Sequence, residues 1–160
     1  MLAGWPRRAF GINMEDLQDL YQEIILSHNK RPRNEGELPG YTHEAEGYNP
    51  LCGDRIRVFL KVENGVVVGV AFHGDGCAIS RASASMMTER LKSCPAEDIE
   101  KRVAEVVEML AGPAEPNLDL ESAGDLAALA GVRKFPARIK CATLAWHAAE
   151  EAYESGGDKS

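Results

Sequence analysis

The chain has 160 residues, 44% apolar and 27% charged, with a formal charge of −7, which suits one globular domain with its own core and excludes a disordered polymer. The negative balance argues against nucleic-acid binding, since tracking phosphates takes clustered Lys and Arg. No run approaches the roughly 18 apolar residues of a membrane span, and the start MLAGWPRRAFGIN lacks the apolar stretch of a secretory signal, so the expected setting is the cytoplasm, away from membranes.

In chain order, residues 1–13 show no periodicity and are expected to form a disordered extension ahead of a single domain over 14–154, with a disordered tail over 155–160. Asn13, with Asp16 three residues on, reads as the N-cap of a helix whose apolar positions Leu17, Leu20, Tyr21, Ile24 and Ile25 repeat at i, i+3, i+4 and i+7; it is expected to end near Ser27. Residues 28–48 are rich in Pro, Gly, Asn and charge and predict a long exposed loop. Two alternating runs follow, Ile56, Val58, Leu60 and Val62, then Val66, Val68, Val70 and Phe72, and Asn64-Gly65 between them predicts a tight antiparallel hairpin.

After Gly74-Asp75-Gly76 the period changes. A helix is predicted over 77–92, and another after Pro95 with Ile99, Val103, Val106, Val107 and Leu110 on one side, ending at Gly112-Pro113. A short helix is expected over 120–130, and from Pro136 a last helix carries Ile139, Thr143, Trp146 and Tyr153. Strands early and helices late make an α+β domain, a small antiparallel sheet packed against several helices.

Four cysteines in a chain without an export signal read as metal ligands or reactive thiols before disulfides. Cys52 and Asp54 flank Gly53 at the entry to the first predicted strand, and in extended backbone a spacing of two sends both side chains to one side. Cys77 stands at a predicted helix start, where free N–H groups favour a thiolate. Cys141 lies early in the last helix behind Arg138 and Lys140, two cations that act the same way. Taken singly, Cys77 and Cys141 read as well as small core residues. Together with Cys52 and Asp54 they make three thiolates and a carboxylate, a tetrahedral shell that zinc accepts, at one end of the domain. Cys94 beside Pro95 reads as structural. His28, His43, His73 and His147 form no i, i+4 pair, His73 and His147 are expected at the surface, and phosphate-loop and GxSxG motifs are absent.

Three segments resemble the SufU and IscU group of iron-sulfur cluster assembly proteins, SufU branch: Tyr48-Asn49-Pro50-Leu51-Cys52-Gly53-Asp54, Gly74-Asp75-Gly76-Cys77-Ala78-Ile79-Ser80, and Arg138-Ile139-Lys140-Cys141-Ala142-Thr143-Leu144-Ala145-Trp146. Residues 113–133 look like the extra segment of that branch, and Lys140 stands where IscU-type scaffolds carry histidine. The resemblance implies zinc held by Cys52, Asp54, Cys77 and Cys141, and a SufS-type cysteine desulfurase as partner. It implies that Cys52, on a loop able to leave the metal, accepts persulfide sulfur and relays it to a SufBCD-type assembly complex or another acceptor, with Arg138 supporting the site. One alternative is a scaffold assembling a nascent iron-sulfur cluster on the same ligands; another is a zinc module that only braces the fold. A thiol enzyme with its own small substrate lacks an evident base.

Overall fold

The computed structural model describes residues 14–112 and 124–156. In chain order they form α1 (Met14–Lys30), β1 (His43–Asn49), β2 (Asp54–Glu63), β3 (Val66–Asp75), α2 (Ala78–Leu91), a 3-10 turn (Ala96–Asp98), α3 (Ile99–Ala111), a 3-10 stretch (Gly124–Lys134) and α4 (Pro136–Gly156). The three strands pair antiparallel in the order β1-β2-β3. The predicted α+β class therefore holds, with one more strand than the two alternating runs announced.

That extra strand corrects the expected loop over 28–48. Every second side chain of β1 turns inward, His43, Ala45, Gly47 and Asn49, a set without the large apolar residues that signal a strand. The small residues suit its place: a Cβ on Gly47 would come within 2.9 Å of the Leu144 side chain on α4. The segment before β1 is also held, because Gly36 N–H donates to Phe72 O at 2.7 Å and Phe72 N–H to Asn34 O at 3.1 Å. It covers the free edge of β3. α1 runs to Lys30, beyond the expected stop at Ser27, and ends just before Arg31-Pro32, where proline restricts its predecessor. The Asn13 cap lies outside the described residues. Leu20, expected on the apolar face of α1, is 43% exposed.

The Asn64-Gly65 turn forms as predicted: both residues have positive φ, 53° and 78°, and Glu63 pairs with Val66. The alternation beyond it does not survive. Lys61 pairs with Gly69 and Val62 with Val67, so Val68 is an extra residue on β3. This bulge reverses the inward parity, leaving Val66 and Val68 exposed and Val67 fully buried.

One core lies between the sheet and the helices, built on Ile56, Val58, Leu60, Phe72, Met86, Leu91, Ile99, Leu110 and Trp146. Trp146 is wholly buried, and its indole N–H donates to Ser83 Oγ at 2.9 Å. The segment expected to be a helix over 120–130 is, in its described part, a 3-10 stretch from Gly124 to Lys134, whose run Leu126 to Leu129 is buried. α4 reaches Gly156, two residues into the tail expected from Ser155. Among the described residues no helix is long and apolar enough to cross a membrane.

Candidate metal-thiolate site

The site is assembled where the β1-β2 connection, the end of β3, the start of α2 and the start of α4 meet. Between β1 and β2 the chain turns tightly: Asn49 O accepts the N–H groups of Cys52 at 3.3 Å and Gly53 at 2.8 Å. Gly53 has φ +76°, a conformation that disfavours side chains. Cys52 and Asp54 thus converge through this turn, where extended backbone was expected. The turn leaves Cys52 exposed, while Asp54, already in β2, is 1% exposed.

From the other side, Gly74 has φ +145°, and a Cβ there would lie 2.0 Å from Arg55 O, so only glycine lets β3 pair this closely with β2 here. Cys77 follows as the N-cap of α2. Its Sγ accepts Ser80 N–H at 3.5 Å and its own N–H donates to Asp54 Oδ1 at 3.0 Å. The predicted helix-start position of Cys77 is observed, and its N–H anchors the carboxylate.

Cys141, in the second turn of α4, is fully buried. Its sulfur lies 3.4 Å from that of Cys52 and accepts Asn49 Nδ2 at 3.8 Å. Ligand atoms of Cys52, Asp54 and Cys141 all lie within 4.8 Å of one another. Cys77 falls outside this tight set, its sulfur turned to the first turn of α2, yet close enough to perturb Cys141. The exposed Arg138, three residues before Cys141, lies close enough to the Cys141 thiol, and to Cys77 and Cys52, for them to hold its charge more firmly than usual. Lys140 is exposed.

These residues fit a soft divalent cation. Burial first, then Cys52, Asp54 and Cys77, push the Cys141 thiol well above its ordinary range, so a cation is what lets these acids ionise together. Asp54 Oδ2 is buried without a hydrogen-bond partner, an expensive state that a metal bond relieves. Ligands about 2.3 Å from a tetrahedral ion stand about 3.8 Å apart, near the separation of the Cys52 and Cys141 sulfurs.

Of the other residues considered, Cys94 is 3% exposed in the core, as expected of a structural cysteine. His73 and His147 are exposed, also as expected. Two site residues gave no individual signal in the sequence. Asn49 holds the turn and faces Cys141; Ser80 has a buried Oγ without a partner beside Asp54.

Residues 20–142 match the family model described as the NifU-like N terminal domain. The zinc-dependent sulfurtransferase SufU of Bacillus subtilis is 44% identical over 89% of this chain and 97% of its own length. The iron-sulfur cluster assembly scaffold protein IscU of Streptococcus pyogenes is 39% identical over 87% of this chain and 86% of its own. A crystal structure from Fervidobacterium islandicum, described as a candidate iron-sulfur cluster assembly scaffold for the SUF system, superposes with a TM-score of 0.75 at 27% identity, over 85% of this chain and 98% of that one. All four residues of the site, Cys52, Asp54, Cys77 and Cys141, lie inside the matched span, and the chain belongs to the NifU-like N terminal domain family.

Proposed function

We propose that this chain is a zinc-dependent sulfur acceptor of iron-sulfur cluster assembly, working in the cytoplasm with a SufS-type cysteine desulfurase. The observation that carries the reading is the unequal exposure of otherwise similar thiols: Cys52 is exposed at a turn, Cys77 is half-buried and Cys141 is buried. Cys52, Asp54, Cys77 and Cys141 hold the zinc, which supplies the positive charge that keeps buried thiols ionised and shields them from oxidation. Asp54, Cys77 and Cys141 are the holding residues, fixed by β2, by the cap of α2 and by α4. Cys52 is the one a partner can reach.

The transfer balances without an added oxidant. The Cys52 thiolate attacks the outer sulfur of a persulfide on the desulfurase; a new S–S bond forms on Cys52, the donor's S–S bond breaks, and the donor cysteine leaves as thiolate. Arg138 supports the negative charge at the thiols. Leu51, next to Cys52, is 74% exposed, an apolar side chain that a docking partner would cover. A SufBCD-type assembly complex or another acceptor then takes the sulfur.

Incubation with a SufS-type desulfurase and L-cysteine is expected to leave one extra sulfur atom on the Cys52 peptide by mass spectrometry, and none in Cys52→Ala. The similarity to a named IscU scaffold favours a second reading, in which the same ligands hold a nascent cluster. A stable, transferable cluster after anaerobic reconstitution, with no persulfide on Cys52, would establish the scaffold reading in place of the relay.

A further inference from the structure

Two buried side-chain atoms among the described residues lack any hydrogen-bond partner, Asp54 Oδ2 and Ser80 Oγ, and both belong to the thiol end. Leaving such an atom unpaired costs about 1–3 kcal/mol. A metal satisfies Asp54. Ser80, fully buried, needs another explanation.

Ser80 is the third helical residue of α2 after its N-cap Cys77. In a capping box the side chain at that position accepts the N-cap backbone N–H. Here the Cys77 N–H donates to Asp54 Oδ1 at 3.0 Å, so a carboxylate from β2 has taken over the acceptor's role. The Ser80 hydroxyl is left with a proton to donate, and it does not bond back to a carbonyl one turn earlier, the other habit of serine in helices.

Gly76 determines what that hydroxyl faces. A Cβ on Gly76 would lie 2.8 Å from Ser80 Oγ and 3.1 Å from Asp54 Oδ1. Both oxygens look onto the same small patch, kept clear because residue 76 has no side chain. Unlike Gly74, Gly76 has no positive φ, so its backbone does not demand glycine; the space between the two oxygens does. Where it stands Ser80 Oγ has no partner, so reaching Asp54 Oδ1 across that patch takes a change of χ1 rotamer.

We propose that Ser80 is a positioning residue for Asp54: its hydroxyl joins the Cys77 N–H on Oδ1, so that Oδ2 alone is presented to the metal. The inference rests on the zinc reading above. A carboxylate binds a cation through one oxygen or two, and an Oδ1 that accepts two hydrogen bonds is held out of the coordination shell. The role belongs to the outer partners that orient a ligand.

Zinc affinity, measured by competition with a chromophoric chelator on the reduced full-length chain, tests this without any desulfurase. Wild type is expected to hold about one zinc per chain, and Ser80→Ala to bind it on the order of 10-fold more weakly. Ser80→Thr, which keeps the hydroxyl, is expected within about 3-fold of wild type. Gly76→Ala, whose methyl separates the two oxygens, is expected to weaken binding much as Ser80→Ala does, and the double variant no further, since both remove one interaction. In the cobalt-substituted protein Ser80→Ala is expected to weaken the visible absorption, as tetrahedral geometry gives way to five-coordination. Wild-type affinity in Ser80→Ala, full additivity with Gly76→Ala, or a Ser80→Thr as weak as Ser80→Ala would each overturn the proposal while leaving the zinc reading intact. A wild-type chain that binds no zinc would overturn the zinc reading itself and this proposal with it.

Discussion

Two polar clusters draw on α2, one through Ser80 and the other through Ser85, and they are built on different principles. At the thiol end, Asp54 Oδ2 and Ser80 Oγ are buried and unpaired, and the Cys141 thiol is pushed up first by burial and then by its acidic neighbours. At the other, His28 is 1% exposed and fully engaged: Nδ1 meets Ser85 Oγ at 2.7 Å and Nε2 meets Asp125 Oδ2 at 2.6 Å. Ser85 Oγ also accepts the Arg33 N–H at 2.8 Å. Serine, histidine and aspartate in contact invite a hydrolase reading, and His28, Glu89 and Asp125 together invite a metal. Neither fits. Ser85 is wholly buried, out of reach of a substrate, and the Arg33 guanidinium, 3.9 Å from Glu89, already supplies a cation. A polar cluster whose bonds are closed holds the fold, whereas one with buried unpaired atoms calls for a further partner.

The sharpest break between the clusters is expected from Cys52→Ala, which should abolish sulfur acceptance outright while leaving the metal-free stability within about 0.5 kcal/mol, as for other exposed positions. Thermal melting of the apo variant beside persulfide mass spectrometry checks both halves. Next in size is removal of the metal. At free zinc a thousandfold above the dissociation constant, binding to the folded state adds about 4 kcal/mol, so a chelator should lower the melting temperature by on the order of 10 °C. In air the stripped protein should also lose two hydrogens as Cys52 and Cys141, with sulfurs 3.4 Å apart, close a disulfide. A chelated protein that melts unchanged and keeps both thiols free would remove the contrast.

The His28 cluster should behave in the opposite way. His28→Ala leaves Ser85 and Asp125 without their partner and opens a cavity among α1, α2 and the 3-10 stretch, a loss of about 2–4 kcal/mol. Zinc affinity should stay within about 2-fold of wild type, because the hydrogen bonds of His28, Ser85 and Asp125 run to one another and to Arg33, not to the four proposed ligands. Equal damage to zinc binding would mean that the two regions are one network.

The sequence carried these regions unequally. The residues proposed to hold metal stand out in the sequence as residue types at element ends, and the Asn64-Gly65 turn and α2, α3 and α4 were legible, because glycine dihedrals, caps and helical periodicity act locally. β1 was not, since Gly47 is chosen for the space that Leu144 and Ala148 of α4 leave it, a property of the partner helix. The inward parity of β3 failed at Val68 because a bulge belongs to a pair of strands. His28 was assigned to an exposed loop, and its partners Ser85 and Asp125 lie 57 and 97 residues away. Ser80 and Asn49 were hidden inside recognisable motifs: their roles depend on an atom left unpaired and on a thiol far along the chain.

The smallest expected effect uses Cys94 as the internal control for the other three thiols. It is 3% exposed, and desolvation pushes its thiol up, against a smaller opposing pull from Arg102. The fold thus favours its protonated form, a contribution that is complete below the pKa of a free thiol and lost as pH rises through the higher folded value. Cys94→Ala should cost about 1 kcal/mol, and Cys94→Ser somewhat more, because its hydroxyl is buried where the sulfur needed no strong partner. Neither should change zinc stoichiometry or sulfur acceptance. In the native chain Cys94 should resist alkylation at neutral pH while Cys52, once metal is removed, reacts promptly. If Cys94 were labelled as fast as Cys52, burial would not be what separates the structural thiol from the working ones, and the exposure difference between Cys52 and Cys141 could no longer identify the acceptor.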